Sequence, residues 1–261
     1  MKKQTALITG ASGGIGYEIS ELFAKGKCNL VLVARNADKL KEIAEDFQSR
    51  YQITVHIVPM NLSSADSPNE LYHYLERNKI MVDYLVNNAG FGAHGKFNDM
   101  ELQEELDMIQ LNITALTHLT KLFLKGMVER KFGRILNVAS TASFQPGPLM
   151  SVYYASKSYV LFLSEALANE LKGTGVSVSV ICPGPTRTGF QQRAQNEKTA
   201  LGTDSGLMMD ARKVALIGYK GMMKGKTVII PGLANKILAQ SVRVSPRKLA
   251  VEIVRFLHES N

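Results

Sequence analysis

The residues best equipped to do chemistry in this sequence are Tyr153 and Lys157 of VYYASK, four positions apart. On a helix that spacing puts both on one face, where their side chains can meet over a bound ligand. A free tyrosine ionises near pH ~10, so acid–base work near neutrality needs a shift of about 2 to 3 units, or roughly 3 to 4 kcal/mol. A nearby ammonium supplies the right sign, and Lys157 is expected to favour the tyrosinate. Tyr154 points about 100° round the helix and is the lesser candidate. Ser140 ends a strand-like run in NVAST, where its hydroxyl can stabilise an oxygen on which charge builds. A serine there is otherwise a turn former. Asn112 interrupts an apolar helical stretch; asparagine is a poor helix former, so it needs a reason to be there.

A second constellation binds charge rather than moving protons. The first strand ends in TGASGGIG, with Gly10, Gly14 and Gly16 where the chain turns sharply into a helix beginning near Gly14. Glycines let the backbone approach a pyrophosphate, and the helix N-terminus favours its negative charge. The second strand ends in VLVAR. Dinucleotide-binding proteins usually carry an acid there for a free ribose 2′-hydroxyl, or an arginine for a 2′-phosphate. Ala34 and Arg35 replace any acid, and Lys39 lies one helical turn on, so the expected cofactor is NADP.

These groups must be carried by a regular frame. Runs rich in Val, Ile and Leu at Thr5–Thr9, Asn29–Ala34, Thr54–Val58, Tyr84–Asn87, Arg134–Val138, Ser177–Cys182 and Thr227–Pro231 alternate with charged segments of helical period. Two such segments are 37–51 and the long stretch 100–130. The pattern predicts an α/β fold: a Rossmann-type doubly wound parallel sheet of about seven strands, with helices on both faces. Residues 1–261 read as one domain with a core over 4–232 and a C-terminal helical extension over 233–261. The irregular stretch Thr186–Met209 is expected to be a lid or binding loop. Met208, Met209, Met222 and Met223 flank it and are candidates either for an adaptable apolar pocket or for core filling.

In order and spacing these motifs resemble those of the short-chain dehydrogenase/reductase family, over roughly residues 4–190. The resemblance implies hydride transfer between nicotinamide and a carbonyl or secondary alcohol of an apolar small molecule. It implies a cofactor-binding turn of Gly10, Ser12, Gly14, Ile15 and Gly16. Asn88, Ala89 and Gly90 of NNAG would line the adenine and ribose side, with Asn61 and Leu62 nearby, although the family more often has aspartate at position 61. Pro183, Gly184, Thr186 and Thr188 of PGPTRT would contact the nicotinamide end. Ser140, Tyr153 and Lys157 match the family's catalytic serine, tyrosine and lysine. Lys157 would also hold the nicotinamide ribose, the positive nicotinamide ring would add to the pull on Tyr153, and Asn112 would kink its helix to position a water relay. The segment after TVIIPG argues against the family's usual tetramer contact, leaving a homo-oligomer, a dimer, as the expected assembly. Two other functions fit the motifs: a 3-oxoacyl-carrier-protein reductase, and an NADP-binding redox sensor without turnover. The four proton-transfer groups argue against the sensor.

The net charge of +8 is unevenly spread: acids and bases balance over residues 1–210, and residues 211–261 carry the whole excess. Nucleic acid is excluded as a partner, because no recognition element accompanies the charge. A solvated tail, a dock for an acidic partner and peripheral contact with an anionic membrane remain. Leu233, Ile237 and Leu238, then Val251, Val254 and Phe256, suit two short amphipathic helices packed on the domain. The start lacks a secretory leader, and no apolar run reaches the roughly 18 to 20 residues that span a bilayer. Cys28 and Cys182 are too few for a disulfide framework, which fits a reducing, cytoplasmic setting. The five histidines show no metal-ligand spacing, so no metal is expected.

Overall fold

The computed structural model describes residues 3–196, 199 and 208–259. The chain runs β1 (Thr5–Thr9), α1 (Gly14–Lys25), β2 (Asn29–Ala34), α2 (Ala37–Tyr51), β3 (Val55–Pro59), α3 (Ser67–Arg77), β4 (Tyr84–Asn87), α4 (Leu102–Ile109), α5 (Leu116–Glu129), β5 (Gly133–Val138), α6 (Ser151–Glu170) and β6 (Val176–Ile181). It continues through β7 (Thr186–Arg187), α7 (Phe190–Ala194), β8 (Met209–Asp210), α8 (Ala211–Met223), β9 (Val228–Ile229), α9 (Leu233–Val244) and α10 (Arg247–His258). Seven strands form one parallel sheet in the order β3-β2-β1-β4-β5-β6-β9.

Side chains alternate across this sheet and fill a core on each face. Ala6, Ile8, Leu30 and Leu32 meet Ile19 and Phe23 of α1, Leu40 and Phe47 of α2, and Val214 and Met222 of α8. Leu7, Val31, Val33, Leu85 and Ile135 point the other way, onto Leu71 and Leu75 of α3 and Leu119 and Phe123 of α5. The sheet is therefore doubly wound, as the residue pattern predicts. Because every strand is parallel, Gly10, Arg35, Asn88, Ser140 and Pro183 all follow strand ends on the same edge. The order reverses between β1 and β4, the crevice where open α/β sheets take their ligands.

Four sequence expectations change. Strand boundaries move by a residue or so at β3, β5 and β6, and the last strand shrinks to Val228–Ile229. The single helix expected over 100–130 is α4 and α5 joined by a π-helical turn, Gln110–Ala115, with Asn112 inside it. Within Thr186–Met209 the chain forms α7 and a small parallel β7–β8 pair, which the sequence pattern does not announce. Residues 197, 198 and 200–207 of that expected lid lie outside the described residues. Met222 is fully buried in the core with Met223 packed against it, whereas Met209 lines the cavity described below. Both cysteines are free and buried. Among the described residues no helix is long and apolar enough to cross a membrane, and no group of acidic, His or Cys side chains is placed to hold a metal ion.

Candidate active site

A cavity of about 1080 Å³ runs along the C-terminal edge of the sheet. One end is built by the first turn. Gly10 (φ +67°) and Gly14 (φ +53°) take left-handed conformations that side-chain-bearing residues adopt only at a cost. The N-cap of α1 is Gly13, which has no side chain to satisfy the first N–H groups, and a Cβ there would meet nothing within 4 Å. Ser12, Gly13, Gly14 and Ile15 line the cavity beside these amides. The turn is fixed from below by bonds between the two glycine-containing motifs that the motif reading does not supply. Thr9 Oγ1 accepts from the Asn88 and Ala89 amides at 3.0 Å each, and Asn88 Nδ2 donates to the carbonyls of Thr9 (2.9 Å) and Gly10 (3.1 Å).

Gly16 does not line the cavity, contrary to its expected place in the cofactor turn. A Cβ at Gly16 would strike the Gly10 carbonyl oxygen and come within 2.5 Å of Asn88 Nδ2, so its role is close packing of turn against helix. Gly16→Ala should therefore destabilise the fold by about 1–3 kcal/mol through overpacking. The check is a lower denaturant midpoint at constant m-value; an unchanged midpoint would show that the turn yields freely.

Arg35 stands exposed at the end of β2, lines the cavity mouth, and forms no ion pair among the described residues. Lys39, expected to assist it, is taken up by the Glu42 carboxylate at 2.8 Å. Asn36 caps α2, its side chain accepting from the Lys39 amide. Asn61 and Leu62 line the same end, with Asn61 Oδ1 also accepting from the Ser63 amide at 3.2 Å. Ala89 and Gly90 line the middle, and Pro183, Gly184, Thr186 and Thr188 line the far side. A glycine cradle at an uncapped helix start, with an unpaired guanidinium at its rim, fits a phosphorylated dinucleotide.

The candidate chemical groups lie on the cavity floor. Tyr153 and Lys157, both on α6 and both buried, line it with Ser140. Lys157 Nζ donates to the Val138 carbonyl at 3.0 Å and sits 5.7 Å from the centre of the Tyr153 ring. Burial holds Lys157 down to about 8. Burial pushes Tyr153 up to about 12, with the Ser140 hydroxyl pulling the other way. Among the chain's own groups, burial therefore sets the direction at Tyr153, opposite to the depression expected with the lysine and the positive nicotinamide ring acting together. Ser140 is also a turn former, since its Oγ accepts from the Ala142 amide at 3.1 Å.

Asn112 is 1% exposed and does not line the cavity. Its Nδ2 donates to the Phe91 carbonyl (2.9 Å) and to Ser156 Oγ (3.0 Å), and its Oδ1 accepts from the Phe91 amide (3.2 Å). Ser156 Oγ in turn donates to the Tyr153 carbonyl at 2.7 Å. The π-helical turn thus binds the loop after β4 to the helix bearing Tyr153. The expected backbone irregularity is present; the side chain itself is committed to protein partners.

The roof was not legible in the sequence. Leu233 and Leu238 of α9 and Ile253, Val254 and Leu257 of α10 line the cavity, together with Met150 and Phe190. The Phe190 and Tyr153 rings lie 5.2 Å apart. The lesser candidate, Tyr154, bonds to His258 Nε2 at 2.7 Å, and the His258 carbonyl accepts from His94 Nε2 at 2.8 Å. These contacts join the end of α10 to the helix of Tyr153 across 104 residues of sequence.

A dinucleotide cradle continuous with a half-buried serine and a buried tyrosine and lysine defines an oxidoreductase of the carbonyl/alcohol type. Residues 4–199 match the family described as short chain dehydrogenase, and the chain belongs to that family. It is 34% identical over 239 residues to 17-beta-hydroxysteroid dehydrogenase type 3 of Mus musculus, covering 90% of this chain and 76% of that protein. Identity to very-long-chain 3-oxoacyl-CoA reductase of Rattus norvegicus is 30%, covering 89% and 75%. A short-chain dehydrogenase from Sphingobium yanoikuyae in complex with NADPH superimposes with a TM-score of 0.81 at 31% identity, covering 94% and 97%.

Proposed function

We propose that this protein is an NADPH-dependent reductase of a bulky, apolar ketone or aldehyde. The observation that carries the reading is the continuity of one cavity from the dinucleotide cradle, past Ser140, Tyr153 and Lys157, to an apolar roof. Bound NADPH supplies the hydride. Tyr153, held protonated at neutral pH by burial, is ready to donate its hydroxyl proton to the carbonyl oxygen of the substrate. Ser140 donates a second hydrogen bond to that oxygen as charge builds on it. Lys157 would hold the nicotinamide ribose and, as a cation, lowers the cost of the tyrosinate left behind. Asn112 keeps the Tyr153 helix in register with the β4 loop. Arg35 favours the 2′-phosphate, and the NADPH complex of the Sphingobium relative agrees with that preference.

A 3-oxoacyl thioester is the second substrate class, favoured by the similarity to the rat 3-oxoacyl-CoA reductase. The test is loss of NADPH absorbance with a panel of steroid-like ketones, long-chain ketones and 3-oxoacyl thioesters. No substrate-dependent oxidation across the panel would overturn the reading. The enzyme is read as a homodimer through α4 and α6, whose Leu106, Ile109, Tyr159 and Phe162 are exposed. It is also read as working in the reducing cytoplasm, in peripheral contact with an anionic membrane face.

The lysine gives this reading a pH signature. Lys157 is charged below its pKa, so its ammonium is present at neutrality and lost as pH rises through about 8. Reductive kcat/KM should be level below that point and fall about tenfold per unit above it. Lys157→Arg, charged throughout, should lower the rate but remove the fall. A wild-type profile still level at about pH 10 would contradict the assigned role of the ammonium.

A further inference from the structure

The outer surface of α9 and α10 is more apolar than a solvated tail requires. Ile237 is 61% exposed, Val244 86%, Leu249 52% and Phe256 73%. The sequence expectation that these stripes pack on the domain therefore holds only in part, at Val254, which is buried with Ala250 on α10 and Ala239 on α9. Large apolar side chains exposed on two consecutive helices mark an interaction site.

Two features identify what covers them. Basic residues adjoin the apolar ones in sequence, about 100° round each helix: Lys236 and Ile237, Lys248 and Leu249, both cations exposed, and Arg255 and Phe256, with Arg255 also bonded to Glu259 at 2.8 Å. Long cationic side chains so placed can reach headgroups while their neighbours enter the acyl boundary. A second copy docking on the same face would instead set these cations against their own kind. The other feature is that Leu238 (60% exposed) and Ile253 (50% exposed) also line the catalytic cavity. The apolar surface and the apolar roof are thus two sides of the same pair of helices. Of the other basic residues in 211–261, Arg243 and Arg247 belong to α9 and α10 by sequence, and Arg212, Lys213 and Lys220 lie on α8, which packs on α1, with Lys224 and Lys226 in the turn after it.

We propose that α9 and α10 dock on an anionic lipid surface and that the apolar substrate enters the cavity from that surface, past Leu238 and Ile253. The entry step rests on the apolar-carbonyl reading above; the docking step stands on the surface itself. Each basic residue near an anionic leaflet contributes about fivefold in affinity, and the attraction is screened by salt.

The chain contains no tryptophan, so Phe256→Trp provides a single fluorescent reporter of insertion. The full-length protein with NADPH is mixed with phosphatidylcholine vesicles, with or without phosphatidylserine. Expected are co-sedimentation with the phosphatidylserine vesicles at low salt, loss of at least about tenfold in affinity at 1 M salt, and a blue-shifted indole signal from the Phe256→Trp variant that brominated acyl chains quench. The Ile237→Glu/Leu249→Glu double variant, altered outside the cavity lining, should lose binding. It should reduce a vesicle-borne long-chain ketone more slowly by at least about tenfold, while reducing a water-soluble ketone as wild type does. Absence of wild-type binding to phosphatidylserine vesicles at low salt, or an unquenched reporter, overturns the docking. Equal reduction of the vesicle-borne ketone by wild type and double variant overturns entry from the surface. A double variant that changes oligomeric state, with no vesicle binding by wild type, assigns the face to a second copy and overturns the proposal. Failure to reduce either ketone sinks the reductase reading, and the sedimentation and fluorescence arms still decide the docking.

Discussion

Tyr153→Phe should leave the fold and NADPH affinity within about twofold of wild type and lower carbonyl reduction by roughly 10² to 10⁴, the range for a lost general acid. The substitution removes only the hydroxyl. The ring remains buried against Phe190 and Tyr154, so packing is preserved. Because burial holds Tyr153 near 12, the wild-type side chain is protonated across the whole neutral range, and the loss should be the same at pH 6 as at pH 7. Tyr154→Phe supplies the internal control. It removes the hydroxyl that meets His258, whose Nδ1 has no partner among the described residues, and a buried polar group left unpaired costs about 1 to 3 kcal/mol. That loss falls on the attachment of α10, so the expected effects are lower stability and a raised KM, with kcat little changed. If the two phenylalanine variants lowered kcat equally, Tyr153 would not be the proton donor.

The contrast between the two tyrosines shows what sequence can carry. Tyr153 and Lys157 were legible because the helical period fixes which side chains share a face, and α6 keeps that period. The cradle was legible because positive φ and close approach both demand glycine, as Gly10 and Gly14 illustrate. The direction of the Tyr153 shift in the chain alone was not, since it depends on how deeply the floor is buried. Asn112 announced an irregularity, but only the folded chain supplies Phe91 and Ser156 to satisfy it. The Tyr154–His258 bond is invisible in one dimension, because no periodicity links a helix after β5 to the end of α10. For the same reason, the stripes on α9 and α10 reveal amphipathicity without saying which stripe roofs a cavity and which meets the outside.

Arg35→Ala should weaken NADPH binding by roughly ten- to a hundredfold and leave NADH binding within about twofold, erasing most of the discrimination between them. The guanidinium follows β2 at the crevice edge, exposed and without an ion-pair partner among the described residues, so nothing in the described chain competes with a phosphate for it. A hydrogen bond to a charged group contributes about 1.5 to 3 kcal/mol, which converts to the stated range of affinities. Lys39→Ala should do much less, because the Lys39 ammonium is already held by Glu42 and would have to leave that carboxylate to reach the ribose side. Ala34 offers no carboxylate to a free 2′-hydroxyl, so removing Arg35 should not create a preference for NADH. Titration calorimetry with both cofactors, on wild type and both variants, reads these differences directly. Equal dissociation constants for NADPH and NADH in the wild type would refute the assignment of Arg35, and a Lys39→Ala loss as large as that of Arg35→Ala would move the phosphate contact one helical turn along α2.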